Sequence, residues 1–289
     1  MGFSALQALE FGDFDASDRV QVLTYAVQIG LAALLKSKGL IPKAVIGHSI
    51  GEIAASVVAG ALTVDEGAII VCRRTVLYRE VMGHGSMVLV NRPYAEIQQE
   101  IGIRQDIAAA IDSSPSSCVV SGAVDIVAGF AEIWKARGIK VLQVKTDIAF
   151  HSPVLSKLAA PLAKSLSKTI TPKATSIKLY STSLSDPRAQ DRRDVQYWVD
   201  NMIKPVLLAP RITAAAEDGF RIFLEVSSHP IVSHSINETL IDRGIEDHAV
   251  ITTMIRGKPV EKSIFYSVAQ LHCTGVSIPW KTSASGNWA

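Results

Sequence analysis

The chain is predicted to be an α/β protein, because short apolar runs alternate with amphipathic segments of helical period along its length. Two local patterns refine this prediction. A Gly-x-Ser-x-Gly sequence at 47–51 lies between an apolar run at 44–46 and a segment with a helical apolar stripe. Farther on, residues 86–145 carry strand and helix signals in the order βαββαβ. We therefore expect a large α/β unit with a smaller unit inserted into it.

Periodicity and capping signals predict the elements of the first 85 residues. Residues 15–38 should form a helix with Ser17 as its N-cap, since its apolar residues recur at helical spacing. The run at 44–46 should be a buried strand that leads into a helix. Thr63 and Glu66 have the spacing of a capping box, which predicts a further helix from there to about Glu80.

The inserted unit is expected to be ferredoxin-like. Its strands are predicted at 86–91, 107–111, 118–121 and 139–145, its helices at 93–101 and 124–137, and a turn at 112–116. Strands of the large unit should resume at 177–180, 222–226 and 250–253. These patterns divide the chain into a first part of the large subdomain (1–85), the small subdomain (86–148), a second part of the large subdomain (149–281) and a polar tail (282–289).

Composition argues against several classes of function. With 29 basic and 27 acidic residues, the chain has no general electrostatic basis for binding nucleic acid. Its three cysteines lie far apart, which predicts free thiols in a reducing compartment and no metal site. We found no uninterrupted apolar run of the ~20 residues that a membrane span needs. These observations predict a cytoplasmic protein without a membrane partner.

The Gly-x-Ser-x-Gly pattern is typical of a nucleophile elbow, in which a strand turns sharply into a helix. Gly47 and Gly51 would allow the turn, because a Cβ at either position would meet neighbouring backbone. Ser49 would then present its hydroxyl at a helix N-terminus, where backbone N–H groups favour developing negative charge. Ser49 is therefore the candidate nucleophile.

A nucleophilic serine needs a neighbouring base, and seven histidines are available. His151 is favoured, because it follows the inserted unit directly and can fold back over the large unit. His229, just after the predicted strand at 222–226, is the alternative. His48 lies within the elbow, where its side chain should point away from that of Ser49.

The chain contains six motifs in register, namely Gly47-His48-Ser49-Ile50-Gly51-Glu52, Arg73-Arg74, Val119-Val120-Ser121-Gly122, Ala149-Phe150-His151-Ser152, Tyr197-Trp198-x-x-Asn201-x-x-x-Pro205-Val206 and Glu225-Val226. With these motifs, the chain from about Ser17 to about Trp280 resembles the acyltransferase domains of modular and iterative polyketide synthases, which are related to malonyl-CoA:acyl-carrier-protein transacylases. The resemblance is greatest to the acyltransferase domains of the methylsalicylic acid synthase type.

The resemblance implies an α/β-hydrolase-like large subdomain with an inserted ferredoxin-like small subdomain, and an active site in the cleft between them. Ser49 would carry a malonyl group from malonyl-CoA to the phosphopantetheine thiol of an acyl carrier protein domain, with His151 as general base and acid. The main-chain carbonyl of Asn201 would orient the imidazole, and the Ile50 N–H would be one oxyanion donor. The domain itself would hold no cofactor, and its partners would include neighbouring domains such as a ketosynthase.

The same resemblance assigns the substrate-binding residues. Arg74 would pair with the free carboxylate of malonate, because a guanidinium can bind both carboxylate oxygens. Arg73-Arg74 on a solvated helix face is the alternative interpretation. Gln21 and His48 fall at positions that line the family's site, whereas Glu52 is expected to be structural. Phe150 would fill the space that an α-methyl group needs and so select malonyl; Ile50 supports this choice, and Ile148 departs from the family's usual His.

One feature of the family is absent from the first 48 residues, namely an opening strand that ends in Gly-Gln-Gly-x-Gln and supplies a second oxyanion donor. We therefore expect that strand to lie outside this sequence. The sequence is also compatible with two other functions. A serine esterase or thioesterase would place a carboxylate beside the histidine and would not need Arg74. A catalytically impaired module would only dock a carrier protein.

Overall fold

A computed structural model describes residues 3–12 and 17–280, which form a mixed α/β structure with three sheets. The helices are α1 (Ala5–Phe11), α2 (Ser17–Ser37), α3 (Gly51–Val58), α4 (Val64–Tyr78), α5 (Tyr94–Ile101), α6 (Val124–Ala136), α7 (Ala159–Leu166), α8 (Val195–Ile203), α9 (Leu208–Glu217), α10 (Ser233–Asp242) and α11 (Val260–Cys273). The strands are β1 (Ala44–Ile46), β2 (Gly85–Val90), β3 (Ile107–Ser114), β4 (Ser117–Ala123), β5 (Val141–Gln143), β6 (Lys178–Tyr180), β7 (Val206–Leu207), β8 (Ile222–Glu225) and β9 (Ala249–Thr252).

The small subdomain has the predicted ferredoxin-like arrangement. Strands β2 to β5 pair in the order β5-β2-β4-β3, and every pair among them is antiparallel. Helices α5 and α6 cover one face, where Trp134 is completely buried among residues of β2, β3 and β4. Strand β7, from the second part of the large subdomain, adds to the free edge of β3 in parallel.

The predicted turn at 112–116 is too long. Strand β3 continues to Ser114 and β4 begins at Ser117, so Pro115 and Ser116 alone form the hairpin connection. The pairing of β3 with β4 continues past two register irregularities in β3. At its end, a hydrogen bond of 2.7 Å joins the Ser114 and Ser117 hydroxyls. A serine-rich sequence is typical of a loop, but here both hydroxyls are buried and satisfy one another.

The large subdomain is built from two parallel strand pairs, β1 with β6 and β8 with β9. The capping box that was predicted for α4 is present: the Thr63 hydroxyl accepts from Glu66 N, and the Glu66 carboxylate accepts from Thr63 N. Helix α2 is observed from Ser17. The prediction that Ser17 caps this helix lies outside the residues whose side chains the structure describes.

Helix α2 is apolar enough over residues 19–37, and long enough, to cross a membrane by length and composition. Its sequence has no uninterrupted apolar run of that length, because glutamine, threonine and glycine interrupt the stretch. In this structure Tyr25 of α2 contributes to the largest apolar cluster, and Leu35 belongs to a second cluster with Val268 of α11. Tyr25 and Leu35 of α2 thus pack inside the fold, whereas Val20 is 48% exposed and Leu34 is 36% exposed.

The main core brings together the elements that carry the predicted site residues. Its buried members come from α2, α3, α4, the segment around Ile148, α7 and α8. Phe150 is half-buried and packs both against this core and against the cluster on the inner face of the small sheet, which includes Met87 and Val119. Phe150 therefore marks the junction of the two subdomains.

Candidate active site

The elbow has the backbone geometry that its sequence predicts. Ser49 has φ = 55°, in the left-handed region that a residue with a Cβ rarely adopts. Holding a non-glycine residue there costs about 1–2 kcal/mol, and such outliers cluster at functional sites. A Cβ on Gly47 would lie 2.1 Å from Glu52 Cα, so glycine is required there. A Cβ on Gly51 would meet only the Gln28 amide at 3.3 Å, which makes glycine less strictly necessary at this second position.

His151 is the histidine that meets the candidate nucleophile. Its Nε2 lies 2.6 Å from Ser49 Oγ, although 102 positions separate the two residues. His151 also has a left-handed backbone, with φ = 56°. The alternative base, His229, is engaged elsewhere, because its Nδ1 accepts a hydrogen bond of 3.3 Å from Arg256 N.

Main-chain carbonyls at the end of α8 face the imidazole, with Lys204 making the closer contact beside the predicted Asn201. His151 Nδ1 lies 3.1 Å from Lys204 O, at the residue that ends α8. The Lys204 carbonyl raises the pKa of His151, and the Asn201 carbonyl, one turn earlier, raises it by a smaller amount. Pro205 has no N–H and therefore cannot donate to the Asn201 carbonyl as a continuing helix would. The end of α8 thus turns carbonyl oxygens toward His151.

Burial lowers the pKa of His151 to about 3, and the positive charge of Arg74 acts in the same direction. The carbonyls of Lys204 and Asn201 oppose this shift without reversing it. His48 also has a lowered pKa, about 4, because burial outweighs the negative charge of Glu225. His151 is therefore neutral near pH 7, so that Nδ1 donates to the carbonyl and Nε2 can accept the proton of Ser49.

We expect an NMR titration of the histidine ring protons to show low midpoints for His151 and His48. An unperturbed imidazole titrates near pH 6.5. His151 and His48 should stay neutral well below that value. In the native state these two rings bind fewer protons than in the unfolded chain between about pH 4 and pH 6.5, so the free energy of unfolding should fall as the pH is lowered through that window. A His151 midpoint near 6.5 would contradict the burial argument.

Arg74 faces inward, which decides between the two interpretations of the arginine pair. Arg74 is 0% exposed, whereas Arg73 is on the surface. Its Nε donates to the Tyr78 hydroxyl one turn along α4, and its Nη1 donates to Asn201 Oδ1 at 2.6 Å. Nη2 is buried and has no hydrogen-bond partner among the described residues. A buried guanidinium nitrogen without an acceptor is costly, which makes it a suitable contact for an anionic group.

The Tyr78 ring connects Arg74 to Phe150. The Arg74 guanidinium carbon lies 5.6 Å from the centre of the Tyr78 ring, and the edge-to-face contact between Tyr78 and Phe150 has a centroid distance of 5.0 Å. The candidate carboxylate contact and the candidate selectivity residue are therefore both in contact with the Tyr78 ring. Sequence reasoning missed Tyr78, although its position four residues after Arg74 places both on one helix face.

Glu52 is structural, as expected. It is 0% exposed, and its carboxylate accepts hydrogen bonds from Thr182 Oγ1 at 2.7 Å, Ser183 Oγ at 3.2 Å, Asn201 Nδ2 at 3.2 Å and the Tyr197 hydroxyl. These contacts join α3 to the segment after β6 and to α8.

Of the other predicted site residues, Ile50 and His48 belong to the elbow itself and Gln21 lies on α2. Ile50 directly precedes α3, so its N–H belongs to the first turn and has no intrahelical acceptor. Gln21 on α2 is half-buried, and its Oε1 has no hydrogen-bond partner among the described residues. His48 is near enough to lower the pKa of His151. The roles of these residues in binding remain predictions.

Comparison with known proteins identifies a matching family and similar synthases. The family described as "Acyl transferase domain" matches residues 1–278. The chain is 59% identical over 289 residues to the 6-methylsalicylic acid synthase of Penicillium patulum, covering 100% of this chain and 16% of that protein. It is 57% identical over 281 residues to the mellein synthase of Phaeosphaeria nodorum, covering 97% of this chain and 16% of that one. The chain thus spans about a sixth of the length of these relatives.

Solved structures confirm the predicted fold. The acyltransferase domain from module 8 of the salinomycin polyketide synthase matches with a TM-score of 0.88 at 29% identity, over 93% of this chain and 63% of that chain. A loading acyltransferase from the avermectin modular polyketide synthase matches with a TM-score of 0.87 at 30% identity, over 94% of this chain and 87% of that chain. The resemblance that the six motifs indicated is confirmed: the chain belongs to the acyl transferase domain family, and it is similar to the acyltransferase domains of polyketide synthases.

Proposed function

We propose that this chain takes a malonyl group from malonyl-CoA onto Ser49 and passes it to the phosphopantetheine thiol of an acyl carrier protein domain in polyketide biosynthesis. The observation that carries the proposal is the contact of 2.6 Å between Ser49 Oγ and His151 Nε2, with the buried guanidinium of Arg74 nearby. Nη2 of that guanidinium has no hydrogen-bond partner among the described residues. The pair supplies a nucleophile and its base, and Arg74 supplies an anion contact that a malonyl carboxylate fits. Membership of the acyl transferase domain family supports the reaction class.

The first half-reaction follows from the geometry of the pair. Ser49 Oγ attacks the thioester carbonyl carbon while its proton moves to His151 Nε2, and negative charge develops on the carbonyl oxygen near the Ile50 N–H. The carbon–sulfur bond then breaks, and His151 returns the proton to the sulfur of CoA. A malonyl ester of Ser49 and free CoA remain.

The second half-reaction reverses these steps with a new thiol. The phosphopantetheine thiol gives its proton to His151 Nε2 and attacks the Ser49 ester. The carbon–oxygen bond breaks, and the proton returns to Ser49 Oγ. The Lys204 carbonyl holds the imidazole in one tautomer through both stages. A carbonyl in this place argues against the esterase alternative in its usual form, which would have a carboxylate beside the histidine.

Acylation can be measured directly on the peptide that contains Ser49. Trypsin should release residues 44–73 as one peptide, since Lys43 and Arg73 bound a stretch without lysine or arginine. After incubation with malonyl-CoA, we expect this peptide to gain the mass of one malonyl group. Incubations with methylmalonyl-CoA and acetyl-CoA should give less adduct. Absence of any adduct, or an adduct on another peptide, would contradict the proposal.

Arg74→Ala should lower malonyl loading while sparing or raising acetyl loading, because only malonate presents a carboxylate. Loss of a charge-assisted contact of this kind costs on the order of 2–4 kcal/mol, which corresponds to roughly 10²-fold in loading rate. Arg73→Ala, at the exposed neighbouring position, is the matched control and should change neither rate. An equal loss of both acyl groups in Arg74→Ala would show that Arg74 only supports the fold.

Phe150→Ser should raise methylmalonyl loading relative to malonyl loading. The ring lies against Tyr78 at the subdomain junction, and its removal opens space for an α-methyl group. One methyl group is worth about 1–3 kcal/mol of discrimination, so the ratio should rise by about tenfold or more. Phe150→Leu keeps most of the volume and should leave the ratio nearly unchanged. An unaltered ratio in Phe150→Ser would place selectivity elsewhere.

The proposed partners are an acyl carrier protein domain and neighbouring synthase domains such as a ketosynthase, since the relatives are about six times longer than this chain. CoA thioesters are the proposed small-molecule partners, and no bound cofactor is required by the steps above. The proposed location is the cytoplasm, in keeping with the three free cysteines.

A further inference from the structure

The Asn201 side chain joins two buried charged groups that do not touch one another directly. Asn201 is 1% exposed. Its Oδ1 accepts from Arg74 Nη1 at 2.6 Å, and its Nδ2 donates to Glu52 Oε2 at 3.2 Å and to Ser183 Oγ at 3.0 Å. All polar atoms of this amide are therefore engaged, and the amide lies between the elbow helix α3 and helix α4.

Glu52 determines which way the Asn201 amide points. A carboxylate accepts hydrogen bonds and cannot donate them, so the group facing Glu52 must be the amide nitrogen. Glu52 itself is held by Thr182 Oγ1 and the Tyr197 hydroxyl. The oxygen of the amide is thereby directed to Arg74, where it meets a donor. Reversal of the amide would set donor against donor at Arg74 and acceptor against acceptor at Glu52.

Arg74 is held at two of its three nitrogens. Tyr78 accepts from Nε and Asn201 accepts from Nη1, which fixes the plane of the guanidinium and leaves Nη2 without a partner among the described residues. An arginine side chain that is free to rotate loses rotamer entropy when a ligand orders it. An arginine that is already ordered binds its ligand without that loss, which is the general benefit of preorganisation.

We propose that the Asn201 side chain is a positioning residue for recognition of the malonyl carboxylate, because it transmits the fixed orientation of Glu52 to Arg74. This inference rests on the proposed function of Arg74. It is distinct from the part played by the main chain at the end of α8, which orients His151 and is unchanged by a side-chain substitution. Asn201 touches neither the nucleophile nor the base through its side chain.

The test is a double-mutant cycle with two acyl donors. Asn201→Leu removes all three hydrogen bonds of the amide at similar side-chain volume. The ratio of malonyl to acetyl loading of Ser49 should fall about tenfold, as expected for loss of a hydrogen bond to a charged group. In the Arg74→Ala background, Asn201→Leu should have no further effect on malonyl loading, since its target is gone. Asn201→Ala offers the same comparisons with a smaller side chain if the leucine does not fit.

The outcomes separate this inference from the function on which it rests. If Arg74→Ala lowers the malonyl-to-acetyl ratio and the Asn201 variants do not, the positioning role is wrong and the proposed function stands. Equal loss of malonyl and acetyl loading in the Asn201 variants, or a full further loss in the Arg74→Ala background, would also overturn the positioning role. If the unaltered chain loads no acyl group on Ser49, the proposed function fails first.

Discussion

Replacing Ser49 with alanine is expected to abolish every acyl adduct that the chain forms from malonyl-CoA. The hydroxyl oxygen is the atom that forms the ester, and no other group lies 2.6 Å from His151 Nε2 among the described residues. The mass of the tryptic peptide 44–73 reports the result. Ser56→Ala is the matched control, because Ser56 lies in the same peptide, and its hydroxyl donates to Glu52 O within α3.

The control should acquire the malonyl group, whereas the Ser49→Ala peptide should keep its unmodified mass. A malonyl adduct that persists in Ser49→Ala would place the nucleophile elsewhere in the chain. The left-handed backbone at Ser49 also predicts that the variant is not strongly destabilised, because alanine meets a similar steric cost there.

His151→Ala is expected to slow loading and unloading of Ser49 alike, because one imidazole moves the proton in both half-reactions. General acid–base catalysis contributes about 10²–10⁴-fold, so each rate should fall by about 10³-fold. Single-turnover measurements with malonyl-CoA, and then with a thiol acceptor, give the two rates separately. His229→Ala is the control, since His229 contacts Arg256 and not Ser49. Greater damage from His229→Ala would show that the wrong base has been assigned.

The elbow and the small subdomain could be predicted from sequence because both are determined by local patterns. Gly47 and Ser49 occur in a strand-to-helix context, and the ferredoxin-like order follows from consecutive strands and helices. The end of β3 could not be predicted in the same way. Ser113 and Ser114 have the composition of a turn, yet the paired strand β4 buries them and extends the ladder.

The inward orientation of Arg74 could have been predicted from the period of α4. Ile70 and Val71 are fully buried, and Arg74 and Tyr78 lie three to eight positions farther along the same face, whereas Arg73 falls outside it. The contacts of Arg74 with Asn201 and of Asn201 with Glu52 could not have been predicted from the sequence, because 127 and 149 positions separate the partners. Which main-chain carbonyl contacts His151 Nδ1, that of Asn201 or that of Lys204, depends on where α8 ends. The periodicity of the sequence locates that end only to within a turn.

The central claim is that Ser49 holds the acyl group for transfer to a thiol. The most direct test is to load Ser49 with malonyl-CoA, remove the CoA, and then add phosphopantetheine or a carrier protein that bears it. The account predicts that the malonyl mass leaves the peptide 44–73 and appears as a thioester on the added thiol, while in water alone the ester is retained. Release of free malonate at the same rate with and without the thiol would contradict it and would indicate a hydrolase.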